Sequence, residues 1–305
     1  MSQTNPFDAR STADQVLAGV DLTGKHFVVT GCNSGIGFET MNSLAANGAH
    51  VLGLARTLAA AAAACKRAGP TCTPVACDLS DLESIAAAAR AIRGFGLALD
   101  CIVANLPTLQ TRHGVELQFL VNHVGHFALI NQLADLVRDK TGRIVIVSSS
   151  ASIHAAPAEG IMFDNLDGHQ SYRPFAFYGQ SKLAAALFAK ELSRRLMARG
   201  IAVNSVHPGA TKGTRLNKYL VWPLTIVVAF AKLFMRNAQR GAATQALLAA
   251  SPRVAGITGE YWTDCQIAAG SPLLADSALA ARLWEVSEQI VAGSELKHGD
   301  LQAAA

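Results

Sequence analysis

Charge is scarce in this chain. Of its 305 residues only 16% are Asp, Glu, Lys or Arg, and the formal net charge is a mild +4. The basic residues are scattered. Runs such as KRAG, RLMARG and MRNAQRG have the form of helix ends, where cations complement the backbone dipole, and this scatter argues against a nucleic-acid footprint. Paired cysteines are missing too. Cys32, Cys65, Cys72, Cys77, Cys101 and Cys265 form no C-x-x-C pair and no zinc-ligand spacing, which leaves reduced thiols in a cytoplasmic protein as the expectation. His123 and His126 lie three apart with no third ligand spaced to complete a metal site, so helix packing is expected of them.

Long hydrophobic runs are absent as well. The most apolar stretch, LVWPLTIVVAFAKLF at 220–234, is shorter than a bilayer span and is interrupted by Pro223 and Lys232, so it reads as a buried or lid-forming helix. Peripheral membrane contact through 220–234 is a further expectation. The N-terminal MSQTNPFDARSTADQVLAG is polar and carries acids, unlike a signal peptide. No internal repeat or Pro/Ser-rich linker divides the chain. A length of 305 residues, half of them hydrophobic, therefore suits one large domain with a sizeable core.

What is present is an alternation. Short β-branched runs at 26–31, 50–56, 72–80, 99–105, 142–150 and 201–209 are separated by alanine-rich helical stretches. These stretches are GFETMNSLAANG, TLAAAAAACKRAG, DLESIAAAARAIRG, the long GVELQFLVNHVGHFALINQLADLVRD, and the helix around Tyr178. Runs such as VVT, IVIV and IAVNSV are apolar on both faces, as a parallel sheet covered by helices requires. The expected fold is α/β: a Rossmann-type doubly wound parallel sheet with helices on both faces. The domain is placed at 21–293, with an extension at 1–20, a mobile substrate lid at 211–240 and a tail at 294–305; both ends are expected to fray.

Chemistry enters at the first βα turn. TGCNSGIG places Gly31, Gly35 and Gly37 in G-x-x-x-G-x-G spacing between a strand and a helix. The first glycine permits a tight turn, and the later ones let backbone amides approach a pyrophosphate at the helix N-terminus. Asn33, Ser34 and Ile36 complete that loop. Nineteen residues after Gly37, the second strand ends at Arg56. An acid near this position holds a ribose 2′-hydroxyl, whereas an arginine accommodates a 2′-phosphate, so Arg56 points to NADP(H) in preference to NAD(H). Asp78 and Leu79 lie at the end of the third strand, where Asp78 meets adenine, caps the next helix, or does both. Further along, Tyr178 precedes Lys182 by four residues, which puts both on one helix face.

Together these segments resemble the short-chain dehydrogenase/reductase family over almost the whole chain. TGCNSGIG is similar to its cofactor loop, YGQSK to its Y-x-x-x-K pair, VSSS to its serine strand and VHPG to its loop beside the nicotinamide. ELQFLVNHVGHF, STADQVLAGVDLTGK and GEYWTDC…ARLWEVSEQIV resemble the branch that holds retinol dehydrogenases and WW-domain-containing oxidoreductases. The resemblance implies that Tyr178 is the general acid/base and that Lys182 lowers its pKa and holds the nicotinamide ribose. It implies that Ser149 bonds the substrate oxygen and that Asn122 supports a relay water. Pro208 and Gly209 are implied beside the nicotinamide, with Thr211 or Thr214 on its carboxamide or phosphate.

One departure stands out. Where the family has N-A-G, this chain keeps Asn105 but has Leu106 and Pro107, in a connection shorter by a handful of residues. The loop is either re-routed or weakens cofactor binding. The expected function is NAD(P)(H)-dependent interconversion of a lipophilic aldehyde or ketone with its alcohol. A cofactor-binding sensor or scaffold with weakened catalysis is the alternative. A homo-oligomer is expected from the resemblance alone.

Overall fold

The computed structural model describes residues 5–104, 111–112, 115–209 and 237–303. Eight strands form one sheet: β1 (His26–Thr30), β2 (His50–Ala55), β3 (Cys72–Ala76), β4 (Cys101–Ala104), β5 (Arg143–Val147), β6 (Ala202–His207), β7 (Tyr261–Thr263) and β8 (Gln266–Ala268). Their spatial order is β8-β7-β6-β5-β4-β1-β2-β3. All neighbours run parallel except the edge strand β8, which pairs antiparallel with β7. The order reverses between β1 and β4, and open α/β sheets bind ligands at the strand C-termini beside such a switch point.

The strands are buried on both faces because side chains alternate across the sheet. Phe27, Val29, Cys101, Val103, Val145 and Val147 enter one core cluster, and Val28, Ile102, Ala104, Ile144 and Ile146 enter the other. The first layer holds α1 (Ala13–Leu17), α2 (Gly35–Ala46), α3 (Leu58–Ala68) and α9 (Ala238–Ala250). The second holds α4 (Leu82–Gly94), α6 (Gly125–Leu133), α8 (Pro174–Arg195) and α10 (Ser277–Ala303).

Two expectations are corrected here. Residues 1–20 are not uniformly a frayed extension. Thr12 and Gln15 close a reciprocal capping box on α1, whose Ala13, Val16 and Leu17 are buried against the first layer. Before it, Asn5 and the carbonyl of Phe7 bond to the chain at Cys265 and Gln266. The continuous helix expected over 114–139 is also broken. It runs as α5 (Leu117–Phe119), a π-turn at Leu120–Val124, α6, and a 3₁₀ turn at Ala134–Leu136. The π-turn contains Asn122, and such widened turns are frequent at functional sites. The strands β7 and β8, the helices α9 and α10, and a short antiparallel pair (Thr111–Arg112 with Val115–Glu116) also form outside the segments read as elements of their kind.

Candidate active site

The glycine loop leaves β1 at Thr30 and enters α2 at Gly35. Gly31 and Gly35 have φ of 62° and 58°, a left-handed conformation that an L side chain rarely adopts. A Cβ placed on Gly35 meets nothing within 4 Å, so the requirement there is conformational and the space before it stays open. Asn33, Ser34 and Gly35 are exposed, Ile36 is half-buried against the first-layer core, and Gly37 is buried. Ser34 is the N-cap of α2, yet its side chain makes no cap hydrogen bond. A twelve-residue helix thus presents its positive end behind a loop of permissive backbone, which fits a pyrophosphate. Arg56 directly follows β2, is exposed, and has no ion-pair partner among the described residues.

Asp78 is not the cap of α4. Asp81 takes that position, accepting from the amides of Glu83 and Ser84. The Asp78 carboxylate accepts from the amide and hydroxyl of Ser80, at 3.0 and 2.7 Å, and its own amide donates to Ser84 Oγ. β3 therefore ends at Ala76, and the segment expected as strand to residue 80 turns instead. Leu79 is buried, and its carbonyl passes so close to Gly125 that a Cβ there would sit 2.3 Å from the oxygen. Glycine at 125 is what lets the π-turn helix press against this turn.

Ser149 follows β5 and is half-buried, as is Tyr178 on α8. The Ser149 hydroxyl lies beside the phenol and favours its ionised form, pulling the Tyr178 pKa down against burial, which raises it more strongly. The turn carrying Ser149 is held by Ser152, whose hydroxyl donates to the Ser149 carbonyl at 2.6 Å. It lies tight on α8 because residue 179 is glycine: a Cβ there would be 2.3 Å from the backbone of Ala155 and Ala156.

Lys182 sits one turn beyond Tyr178 and is 5% exposed. Its Nζ lies 5.9 Å from the centre of the Tyr178 ring and donates to the Val147 carbonyl at 3.2 Å. An ammonium carries three donors, and the described residues take up one of them. Burial alone lowers the Lys182 pKa to about 8. The sequence reading had the lysine lowering the tyrosine pKa. In the structure the ammonium lies over the ring and bonds a carbonyl, so burial dominates and the net shift of Tyr178 is upward. Asn122, in the π-turn, is buried and donates through Nδ2 to Ser181 Oγ at 2.9 Å.

Tyr172, the rival phenol, reaches instead to the buried carboxylate of Glu116 at 3.3 Å. Its pKa is pushed up to about 12 by burial and by that neighbouring carboxylate. Pro208 and Gly209 are half-buried just past β6, with Gly209 at φ 80°. Asn105, Leu106 and Pro107, Thr211 and Thr214, and the segment 220–234 lie outside the described residues, as does the 211–240 lid up to residue 236. His123 and His126 pack within the fold: His123 Nε2 meets Ser287 Oγ at 2.7 Å and His126 Nε2 meets Thr30 Oγ1 at 3.1 Å. Among the described residues no group of three His, Cys, Asp or Glu is placed to hold a metal ion. No described helix is long and apolar enough to cross a membrane.

A glycine loop at the switch point, with a serine–tyrosine pair and a lysine at the adjoining strand ends, is an arrangement that sequence comparison can place. The short chain dehydrogenase profile matches residues 25–162 and 164–222. This chain belongs to that family. It is 36% identical to a WW domain-containing oxidoreductase of Pongo abelii, over 93% of this chain and 72% of the relative. It is 35% identical to human retinol dehydrogenase 14, over 88% of this chain and 87% of that one. Among solved structures, the Pseudomonas aeruginosa RhlG/NADP active-site complex superposes with a TM-score of 0.63 at 25% identity, covering 79% of this chain and 95% of the other. The family uses NAD(P) cofactors generally, and the residues at the glycine loop fit one.

The sequence reading missed Thr30 and Ser181 at the site, and it read His126 as a packing residue without its bond to Thr30. Each is buried beside a residue it named, and each was legible only as spacing. His126 is four residues after Asn122, and Ser181 is three after Tyr178. Those are same-face distances on a helix.

Proposed function

We propose that this short-chain dehydrogenase interconverts a lipophilic aldehyde or ketone and its alcohol with NADP(H), Tyr178 being the general acid/base. The observation that carries the reading is the trio at the ends of β5 and α8. A phenol with the Ser149 hydroxyl at its side lies beneath a buried ammonium that, among the described residues, bonds only the Val147 carbonyl.

When bound, the nicotinamide supplies the hydride to the carbonyl carbon or takes it from the alcohol. In reduction, Tyr178 gives its phenolic proton to the substrate oxygen while Ser149 donates a second hydrogen bond to that oxygen. In oxidation the same proton returns to Tyr178. Burial keeps the Tyr178 pKa above its ordinary value of 10.0, so the phenol is protonated at neutral pH and starts as an acid. This favours carbonyl reduction. Lys182 offers its free donors to the ribose and its charge to the phenolate formed as the proton leaves.

Support for NADP(H) comes from Arg56, exposed at the end of β2 where a 2′-phosphate would lie and without an ion-pair partner among the described residues. Support for an apolar substrate comes from Ile153 on α7 (Ala151–His154), Tyr172 just before α8 and Phe175 in its first turn, large hydrophobic side chains left exposed. The name of one relative, retinol dehydrogenase 14, points the same way. NADPH consumption followed by absorbance with a panel of long-chain and aromatic carbonyls tests the reading. Turnover that vanishes in Tyr178→Phe is expected; no turnover by the wild type with any carbonyl would overturn it.

A further inference from the structure

His126 and His123 sit on adjoining turns and serve different neighbours. His123 is ringed by Phe119, Phe127 and Phe188 and bonds Ser287 of α10. His126 reaches toward β1. Its Nε2 is 3.1 Å from Thr30 Oγ1, and its Nδ1 is 3.4 Å from the backbone oxygen of Asn122. A carbonyl oxygen only accepts, so Nδ1 must carry the proton. Nε2 is then the acceptor, and the Thr30 hydroxyl must donate to it. The tautomer follows from the partners.

The same logic extends the chain. Asn122 Nδ2 donates to Ser181 Oγ at 2.9 Å, and Ser181 Oγ donates to the Tyr178 carbonyl at 2.8 Å. Four successive bonds, from Thr30 through His126, Asn122 and Ser181 to Tyr178, thus point one way. Every side chain in the path is buried, between 0% and 4% exposed. The bonds polarise one another through the imidazole on one side and through the Ser181 hydroxyl on the other; at Asn122 the two halves meet through its covalent frame, backbone carbonyl to side-chain amide. One end is the last residue of β1, immediately before Gly31; the other is the backbone of the candidate acid. Between them the π-turn abandons the i→i+4 pattern, with the Gly125 amide donating to Leu120 O. Its register therefore needs fixing by something other than the helix ladder.

We propose that His126 is a positioning residue, a neutral Nδ1–H imidazole that locks the π-turn at Asn122 to the end of β1 and so holds the Tyr178 turn in register with the glycine loop. The proposal rests on the reading of Tyr178 as acid/base for its consequence in catalysis, but its geometry stands without it. Burial holds the His126 pKa down to about 3, with the Lys182 charge opposing protonation as well, so a charged imidazole does not compete.

The test uses the full chain without added nucleotide. Imidazole ¹⁵N NMR should show His126 protonated at Nδ1 and untitrated from pH 5 to 9; an Nε2–H tautomer, or titration near neutrality, would overturn the proposal. Three variants then separate register from packing. Asparagine places an amide donor where Nδ1 stands, whereas glutamine reaches the Nε2 position and leucine supplies neither. The chain has four tyrosines, so ¹³Cζ-tyrosine labelling resolves Tyr178, assigned through Tyr178→Phe. Its resonance should move in His126→Gln and His126→Leu and stay in place in His126→Asn. Equal movement in all three, or none in any, would refute the role. If His126→Leu fails to fold, Thr30→Val, which removes the donor to Nε2, should mix the tautomers in an otherwise intact core. With turnover in hand, kcat should fall about 10- to 100-fold in His126→Gln, as small misplacements of reacting groups do, with the NADPH dissociation constant little changed. A wild type that turns over no carbonyl while the resonance pattern holds sinks the enzymatic reading and leaves the positioning role intact.

Discussion

The two ends of the sheet treat polar groups in opposite ways. At the N-terminal ends of the strands the charged groups have partners, although His26 Nδ1 has none among the described residues. Asp100, its side chain 10% exposed, accepts from Lys25 Nζ at 3.2 Å, from the His26 amide at 2.9 Å and from Arg138 Nε at 3.3 Å. Arg143, at the start of β5, donates to the carbonyls of Leu248 and Ser251, closing the C-terminal end of α9. At the C-terminal ends, capacity is left over. Among the described residues Lys182 uses one donor of three, Ser34 caps nothing with its side chain, and Arg56 stands without an acid. Leaving a buried ammonium short of partners costs stability, so Lys182, with the exposed Ser34 and Arg56 beside it, marks this end as the place where something binds, and the paired charges at the other end hold the sheet together. The contrast can be broken from either end.

The largest effect belongs to the open end. Tyr178→Phe should lower carbonyl turnover by about 10²- to 10⁴-fold, the range of a lost general acid, while thermal melting stays close to wild type because the ring and its packing are retained. Melting and NADPH-consumption assays on one preparation read both. A large loss of stability with proportionate loss of activity would mean that Tyr178 belongs to the structural class. Arg56→Ala should be next: NADPH affinity should drop by about tenfold, the worth of one exposed charge-assisted contact, with NADH affinity unchanged. Equal loss for both nucleotides would remove Arg56 from the 2′-phosphate.

At the closed end, Asp100→Ala should cost about 1–2 kcal/mol in denaturant unfolding and leave kcat untouched. Lys25 and Arg138 are both more than a third exposed, so their ion pairs contribute little, and most of the cost is the His26 amide left without an acceptor. An Asp100→Ala variant that folds normally but loses turnover would show that the two ends are not separable.

Lys182 sharpens the contrast through pH. Its native pKa, about 8, lies below the ordinary 10.5 of the unfolded chain. Between those values the folded protein binds fewer protons, so this group's contribution to stability rises with pH across that window. Below pH 8 both states are protonated and the burial penalty is present in full. Lys182→Met should therefore melt at a higher temperature than wild type at pH 7, and the gap should narrow by pH 10. A gap independent of pH would mean that the ammonium is not penalised where it lies.

Legibility differed between these parts in a physical way. The parallel order and the glycine loop were readable because β-branched runs buried on both faces and glycines at fixed spacing are local signals. Tyr178 and Lys182 were readable because a four-residue spacing on a helix places two tips together. The direction of the Tyr178 shift was not, since it depends on how deeply the helix is packed, and that is set by Gly179 admitting the backbone of Ala155 and Ala156. The π-turn was invisible because its residues, LVNHV, are acceptable to an α-helix. Only the Leu79 carbonyl against Gly125, together with the side chains around Asn122, distinguishes the two. Asp81 displaced Asp78 as the α4 cap for a similar reason. Both acids precede the helix, and the choice was made by Ser80 and Ser84 engaging Asp78.

The smallest effect concerns α1, which polar composition disguised as a loose extension. Thr12 and Gln15 exchange side-chain-to-amide bonds at 2.9 and 3.3 Å, and this short helix presents Ala13, Val16 and Leu17 to the core. Five residues cannot hold a helix unaided, since nucleation is costly and isolated short helices are marginal, so the cap and the buried face depend on each other. Thr12→Ala should remove about 1 kcal/mol and lower the melting temperature by about 2 °C, with turnover unchanged because α1 touches none of the groups at the strand C-termini. Amide exchange localises the loss: Val16 and Leu17 should exchange faster in the variant while Val28 and Val29 of β1 keep their protection. If Thr12→Ala leaves both melting and exchange untouched, the segment frays as its composition suggests, and the first layer closes without it.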